Sequence, residues 1–189
     1  VNTLRARGTL TVSSAGNSAN KTEIGAPACL TGAVAVGAVY DANIGTISFG
    51  CTDGSTSADK ITCFSNSSSA VDLLAPGAAI TSSGMGGGVA GFAGTSQAAP
   101  HVAGALALMF QAKPAAGAND LENALKGSGR PITDPANGIT ATRIDGRPVM
   151  ASGVLADGDG RELGAEVLGL GGDLHRHLTR HGAVDAGDL

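Results

Sequence analysis

Residues 32–40 read GAVAVGAVY, a run with no charge and no alternation of apolar with polar. A strand with one wet face alternates, whereas a strand covered on both faces is apolar throughout. The run therefore reads as a buried strand of a parallel sheet, and the stretches on either side of it decide how that sheet is covered. Upstream, VNTLRARG (1–8) reads as the end of a helix stopped by Gly8. LTVSSAGN (10–17) reads as a short strand closed by Gly16 and Asn17. Downstream, TISFG (46–50) and KITCFSN (60–66) read as shorter strands around a polar loop. AVDLLAPG (70–77) is a second buried strand ended by a Pro-Gly turn, and ITSSGMGGGVAGFAG (80–94) is a glycine-rich hairpin or loop.

Two helices complete the pattern. SQAAPHVAGALALMFQAKP gives a helix over about 96–112, apolar nearly all round and so expected to be buried, with Pro114 ending it. NDLENALKGSG (119–129) gives another, with Asn119 as N-cap and Gly127 as stop. Strands mixed with helices define an α/β layered fold. We divide the chain into a domain over residues 1–150 and a tail over 151–189, where the sequence turns rich in Gly and Asp and weakly periodic.

Composition narrows the function. The chain has 189 residues, 42% apolar, enough for one packed domain or part of a larger one. Its net charge is −4 and its 12 basic residues do not cluster, so nothing favours nucleic acid or an anionic membrane. No apolar run approaches the ~20 residues of a membrane span. Neither an initiator Met nor a signal peptide stands at Val1, so the expectation is a start at a processing site or within a longer polypeptide. Cys29, Cys51 and Cys63 lack metal-ligand spacing, and no metal site is expected. Cys51 and Cys63 flank the turn-rich TDGSTSADKIT; they read as a hairpin-closing disulfide, the alternative being three buried thiols in a reducing compartment.

The chemistry concentrates in GTSQAAPHVAG (94–104). Ser96 lies between a glycine turn and an apolar helix. At a helix start, free N–H groups and the helix dipole stabilise a developing oxyanion, which suits a nucleophile. The commoner use of serine there is as N-cap. Gly94 allows close approach, and Pro100 is costly inside a helix and should kink it.

This stretch resembles the catalytic-serine motif of the subtilisin-like serine proteases, the subtilase family, at Gly94, Thr95, Ser96, Ala98, Pro100, His101, Val102 and Gly104. VSSAGNS (12–18) resembles the strand end that carries the family's oxyanion asparagine, here Asn17. GAVAVGAVYD (32–41) and FSNSSSAVDLLAPG (64–77) resemble the two strand segments between asparagine and serine. The resemblance covers about residues 1–145. It implies part of a three-layer α/β/α fold with a mostly parallel sheet and its N-terminal strands missing. It implies a serine endopeptidase acting on protein or peptide substrates, with Ser96 as nucleophile and Asn17 and the Ser96 N–H as oxyanion donors. Ser13, Ser14, Ala15 and Gly16, with Gly94 and Thr95, would line the pocket for the side chain before the cleaved bond. Taken alone, Asn17 also suits a turn. His101, five residues after Ser96, is turned well round the helix and reads as a core or supporting residue. Pro27 lies where the family often has a cis proline.

Subtilases order their triad Asp, His, Ser. Here all four histidines, His101, His175, His177 and His181, follow Ser96, and no aspartate before it sits in the required context. Asp41, Asp53, Asp59 and Asp72 are therefore not the triad acid. The implied partner is a missing N-terminal part of the domain carrying acid and base, and the 189 residues alone are expected to be inactive. Two rival readings remain: a catalytically inactive remnant acting as a binding or structural module, and one half of a split protease. The HRHLTRH tail (175–181) reads as solvated. DGDGRE (157–162) fails the EF-hand pattern at Arg161 and Glu162. The chemistry requires no cofactor; subtilases often bind structural calcium, but no matched site stands in this sequence. Few lysines, Ser/Thr/Gly-rich loops and the Cys51–Cys63 pair point to a secreted or cell-envelope location.

Overall fold

The computed structural model describes residues 1–145. Helix α1 (Asn2–Ala6) leads into strand β1 (Thr11–Ser14) and then β2 (Ala33–Val39). A hairpin of two-residue strands, β3 (Ile47–Ser48) and β4 (Thr52–Asp53), precedes β5 (Leu73–Pro76). A second hairpin, β6 (Ile80–Ser83) and β7 (Val89–Phe92), leads to helices α2 (Thr95–Ala112) and α3 (Ala118–Ser128). Strands β8 (Arg130–Thr133) and β9 (Thr140–Arg143) follow. The main sheet runs β1-β2-β5-β9-β8, with its first four strands parallel and β8 antiparallel at the edge. This is the α/β class expected from the sequence.

All seven residues of β2 are buried, as its unbroken apolar run implies. The core lies between the sheet and the helices, where Val34 and Val36 of β2 join Val102 and Leu106 of α2 and Leu121 and Leu125 of α3. An ionic cluster fastens the outer helices. Arg5 of α1 pairs with Glu122 of α3; Lys126 reaches Glu122 and Asp72, each at 2.7 Å; and Asp72 accepts the Ala35 N–H of β2 at 2.8 Å.

Several sequence expectations are corrected. Residues 60–66 do not form a strand; a single bridge between Val39 and Ile61 remains, and β4 lies in the stretch read as loop. A disulfide joins Cys51 to Cys63 with Cα atoms 6.1 Å apart, tying the β3–β4 turn to residues 61–66. Beside it, buried Asp53 accepts from the Tyr40 hydroxyl and the Cys63 N–H, each at 2.8 Å, and meets Lys60 at 2.7 Å. Side-chain bonds and a few backbone bonds, such as Thr62 N–H to the Ala38 carbonyl at 3.0 Å, thus hold this segment where a continuous strand was expected. Cys29 is free and exposed, not buried. Helix α3 is flanked by Gly117 as N-cap and Gly129 as C-cap, so Asn119 sits inside its first turn, where its Oδ1 accepts from Arg5 Nε at 3.0 Å, and Gly127 lies within the helix. Helix α2 is one element through Pro100, but a single stripe of it is buried: Thr95, Ala98, Val102, Leu106 and Met109. Its other side, with His101, Gly104 and Leu108, is exposed. His101 is therefore not a core residue. The tail expectations, including His175, His177, His181 and the stretch 157–162, lie outside the described residues.

Candidate active site

Parallel strands deliver their following loops to one edge of the sheet, the edge where open α/β sheets bind ligands. Strand β1 ends at Ser14, and the loop after it carries Asn17. Strand β5 ends at Pro76, and the Gly77 carbonyl accepts the Gly94 N–H at 2.7 Å. Two stretches nearly 80 residues apart thereby meet at the carboxyl ends of β1 and β5, the strands on either side of β2.

The N-cap of α2 is Gly94, so Ser96 is the second residue of the helix and not its cap. That removes the commoner reading of this serine. Its side chain is exposed, and its hydroxyl makes no hydrogen bond to any described residue. The Ser96 N–H falls in the first turn, where helix geometry supplies no acceptor.

Asn17 is fixed against the same turn. Its Oδ1 accepts from both the backbone N–H and the hydroxyl of Thr95, each at 2.8 Å. The buried Thr95 hydroxyl oxygen in turn accepts the Gly16 N–H at 3.1 Å. With Oδ1 committed, Nδ2 is the free donor, an orientation assigned from this hydrogen-bond network. A Cβ placed on Gly94 would lie 3.2 Å from Asn17 Nδ2 and 3.6 Å from Ser96 N. Both donors therefore flank one small space, kept open by a glycine at φ +154°. Gln97 Oε1 reaches to 2.9 Å of the same point, so its flexible side chain borders that space.

The remaining sequence-predicted residues divide. Ser13 and Ala15 are buried, while Ser14 and Gly16 are half-exposed. A cleft of about 360 Å3 opens beside Ser96, but Ile80, Thr81, Ser82, Gln97, Pro100 and His101 line it, not residues 13–16. His101 Nδ1 lies 2.7 Å from the Gln97 carbonyl of its own helix. Asp53, Asp59 and Asp72 are engaged with Lys60, with Arg130 and Arg143, and with Lys126, respectively. Ser96 thus has no acid–base partner among the described residues. Among the described residues no group of three or more His, Cys, Asp or Glu stands together as a metal site. The Ala26–Pro27 bond is cis.

Sequence reasoning missed Asn66, which lies in the segment misread as a strand. It is 6% exposed. Its Nδ2 donates to the Ala15 carbonyl at 3.1 Å, and its Oδ1 accepts the N–H groups of Ser18 and Asn20, each at 3.0 Å. Its own N–H donates to the Gly16 carbonyl at 2.9 Å. The letters FSN gave no signal of this, because the groups its carboxamide meets lie 46 to 51 residues away along the chain.

A parallel α/β sheet with an exposed serine on the first turn of a helix, faced by a fixed carboxamide, defines a candidate nucleophile site. A sequence profile of the subtilase family matches residues 1–143, and the chain belongs to that family. It is 41% identical over 100 residues to the intracellular serine protease of Paenibacillus polymyxa, covering 52% of this chain and 26% of that protein. It is 36% identical over 126 residues to alkaline elastase YaB of Bacillus sp. (strain YaB), covering 67% and 29%. A solved structure of a cold-adapted subtilisin-like serine proteinase superposes with a TM-score of 0.62 at 30% identity, over 76% of this chain and 47% of that one. The chain thus spans between about a quarter and a half of the proteins it resembles.

Proposed function

We propose that this chain supplies the nucleophile and the oxyanion donors of a serine endopeptidase. Ser96 Oγ attacks the scissile carbonyl carbon while its proton passes to a general base. The carbonyl oxygen, now negative, is held by the Ser96 N–H and Asn17 Nδ2. Collapse returns the proton to the departing amine and leaves an acyl group on Ser96 Oγ, which water then removes. The observation that carries this reading is the convergence of Asn17 Nδ2 and Ser96 N on the space beside Gly94. Base and acid come from polypeptide outside these residues. That reading is supported by the unpartnered cleft beside Ser96 and by the exposed apolar side of α2 next to it. The substrates are proteins or peptides, a reading supported by membership of a peptidase family and by relatives named as proteases. An oxidising compartment is supported by the Cys51–Cys63 bridge. Among the described residues no helix is long and apolar enough to cross a membrane.

The test is hydrolysis of a chromogenic peptide by the polypeptide that includes the sequence upstream of Val1, or by this chain mixed with that segment. Turnover abolished by Ser96→Ala is expected. Turnover that survives Ser96→Ala, or an upstream sequence without the Asp and His motifs, overturns the proposal.

A further inference from the structure

Asn17 is exposed, and the chain around it is not a regular element. Gly16 has φ +107° and Ala19 φ +55°, so two residues of this turn stand in the left-handed region, one of them without glycine's freedom. A conformation of that kind is held from outside. Thr95 holds the carboxamide of Asn17, but nothing in Thr95 touches the backbone at 18–20. We infer that Asn66 is a positioning residue for the oxyanion site, acting through Asn17; this rests on the function proposed above.

The geometry is a clamp. Asn66 bonds residues 15, 16, 18 and 20 and leaves Asn17 itself untouched, so its four contacts bracket the donor on both sides. The task needs an amide: one end must donate to a carbonyl while the other accepts two N–H groups. A carboxylate accepts but cannot donate to Ala15, and an alkyl side chain leaves the Ser18 and Asn20 N–H groups without that acceptor. The approach is close enough that a Cβ on Gly16 would fall 2.5 Å from Asn66 Nδ2. Gly16 is therefore glycine for the clamp as well as for its φ. Without Asn66 the turn relaxes, and Nδ2 of Asn17 no longer meets the space that the Ser96 N–H faces. Because the substrate's planar carbonyl uses these donors less than its tetrahedral oxyanion does, the loss falls on kcat more than on KM.

Two measurements test this. In the polypeptide that includes the segment upstream of Val1, amide hydrogen exchange is followed in Asn66→Ala. Faster exchange is expected at Ser18 and Asn20, which lose their acceptor. It is also expected at Thr95, by about ten-fold, although Thr95 contacts Asn17 and not Asn66; β2 amides stay slow. A Thr95 amide that stays as protected as in the parent chain overturns the inference. In the active enzyme, Asn66→Ala is combined with Asn17→Ala in a double-mutant cycle. Asn66→Ala alone is expected to lower kcat about 10- to 100-fold, the scale of an ångström-sized misplacement, with KM within about two-fold. In the Asn17→Ala background it is expected to cost almost nothing more. Additive losses overturn the positioning role, whereas an Asn17→Ala enzyme with unchanged kcat overturns the underlying proposal itself and this inference with it. Should Asn66→Ala not fold, Asn66→Asp keeps the two acceptor bonds and loses the donor; it is expected to retain more kcat than Asn66→Ser, and the reverse order contradicts the clamp.

Discussion

The carboxamide of Asn17 gains its chemical meaning from Thr95, whose N–H and hydroxyl occupy Oδ1 and leave Nδ2 to donate. Asn17→Ala is expected to lower kcat by roughly 10²–10³ with KM little changed; this magnitude is the one known for the oxyanion asparagine of subtilisin itself, not one computed from these distances. Gly94→Ala tests the space between the donors. Its methyl group would lie 2.9–3.2 Å from Gln97 Oε1 and Asn17 Nδ2 at a φ of +154°, so lost turnover and a destabilisation of about 1–3 kcal/mol are expected, read from peptide hydrolysis and urea denaturation. That Ser96, Asn17 and Gly94 lie together could be expected from the sequence because each lies in a contiguous, unusual string; their proximity is what the structure adds. The place of Asn66 could not, since its partners are 46 to 51 residues away and asparagine in a polar loop has many ordinary uses. Whether Ser96 capped its helix could not be read either; the choice between Gly94 and Ser96 as N-cap turns on two residues of backbone.

Strand β2 was legible because burial on both faces leaves an unbroken apolar string, β5 because its apolar residues run into a Pro-Gly turn, and the half-buried β1 because Gly16 and Asn17 close it. Residues 60–66 misled because the same kinds of residue serve a segment pinned by a disulfide and by Asp53. Replacing Cys51 and Cys63 by serine is expected to cost about 3 kcal/mol, the loop-closure value for a separation of 12 residues, measured as a lower urea midpoint. At the helix pair, burial opposes ionisation of Glu122, but hydrogen bonds from Lys126 and Arg5 outweigh it and hold the carboxyl below its usual range. Asp53 is likewise held low, by Lys60, the Cys63 N–H and Tyr40 against the cost of burial. A carboxyl with a depressed folded pKa stabilises above its unfolded value and loses that contribution as pH falls through the folded one. Stability should therefore fall below about pH 4. Glu122→Gln is expected to cost about 1–3 kcal/mol at neutral pH and to flatten the acid limb of a melting-temperature profile; an unchanged acid limb contradicts this account.

Across the molecule, the sheet and α2 bring the loops after β1 and β5 together at Ser96 and Asn17, which under the proposed function is one part of a reaction centre. The apolar composition of α2 suggested a helix buried all round, yet one side of it is exposed beside the Ser96 cleft. Sequence could show that the string was apolar but not which of its sides this fold buries. Strand β1 stands at the end of the main sheet, and an uncovered edge invites pairing with other chains. Poor solubility of the 189 residues alone is expected in light scattering, and a monodisperse, cooperatively melting monomer would count against it. Removing the base from such a centre costs nearly as much as removing the whole triad, roughly 10⁶-fold in subtilisin. The most direct measurement is the rate and site of labelling by a fluorophosphonate probe, located by mass spectrometry. The account predicts a rapid single adduct on Ser96 when the upstream segment is present, and none on the 189 residues alone. Rapid labelling of Ser96 in the isolated chain, or an adduct on a different residue in the longer one, would contradict it.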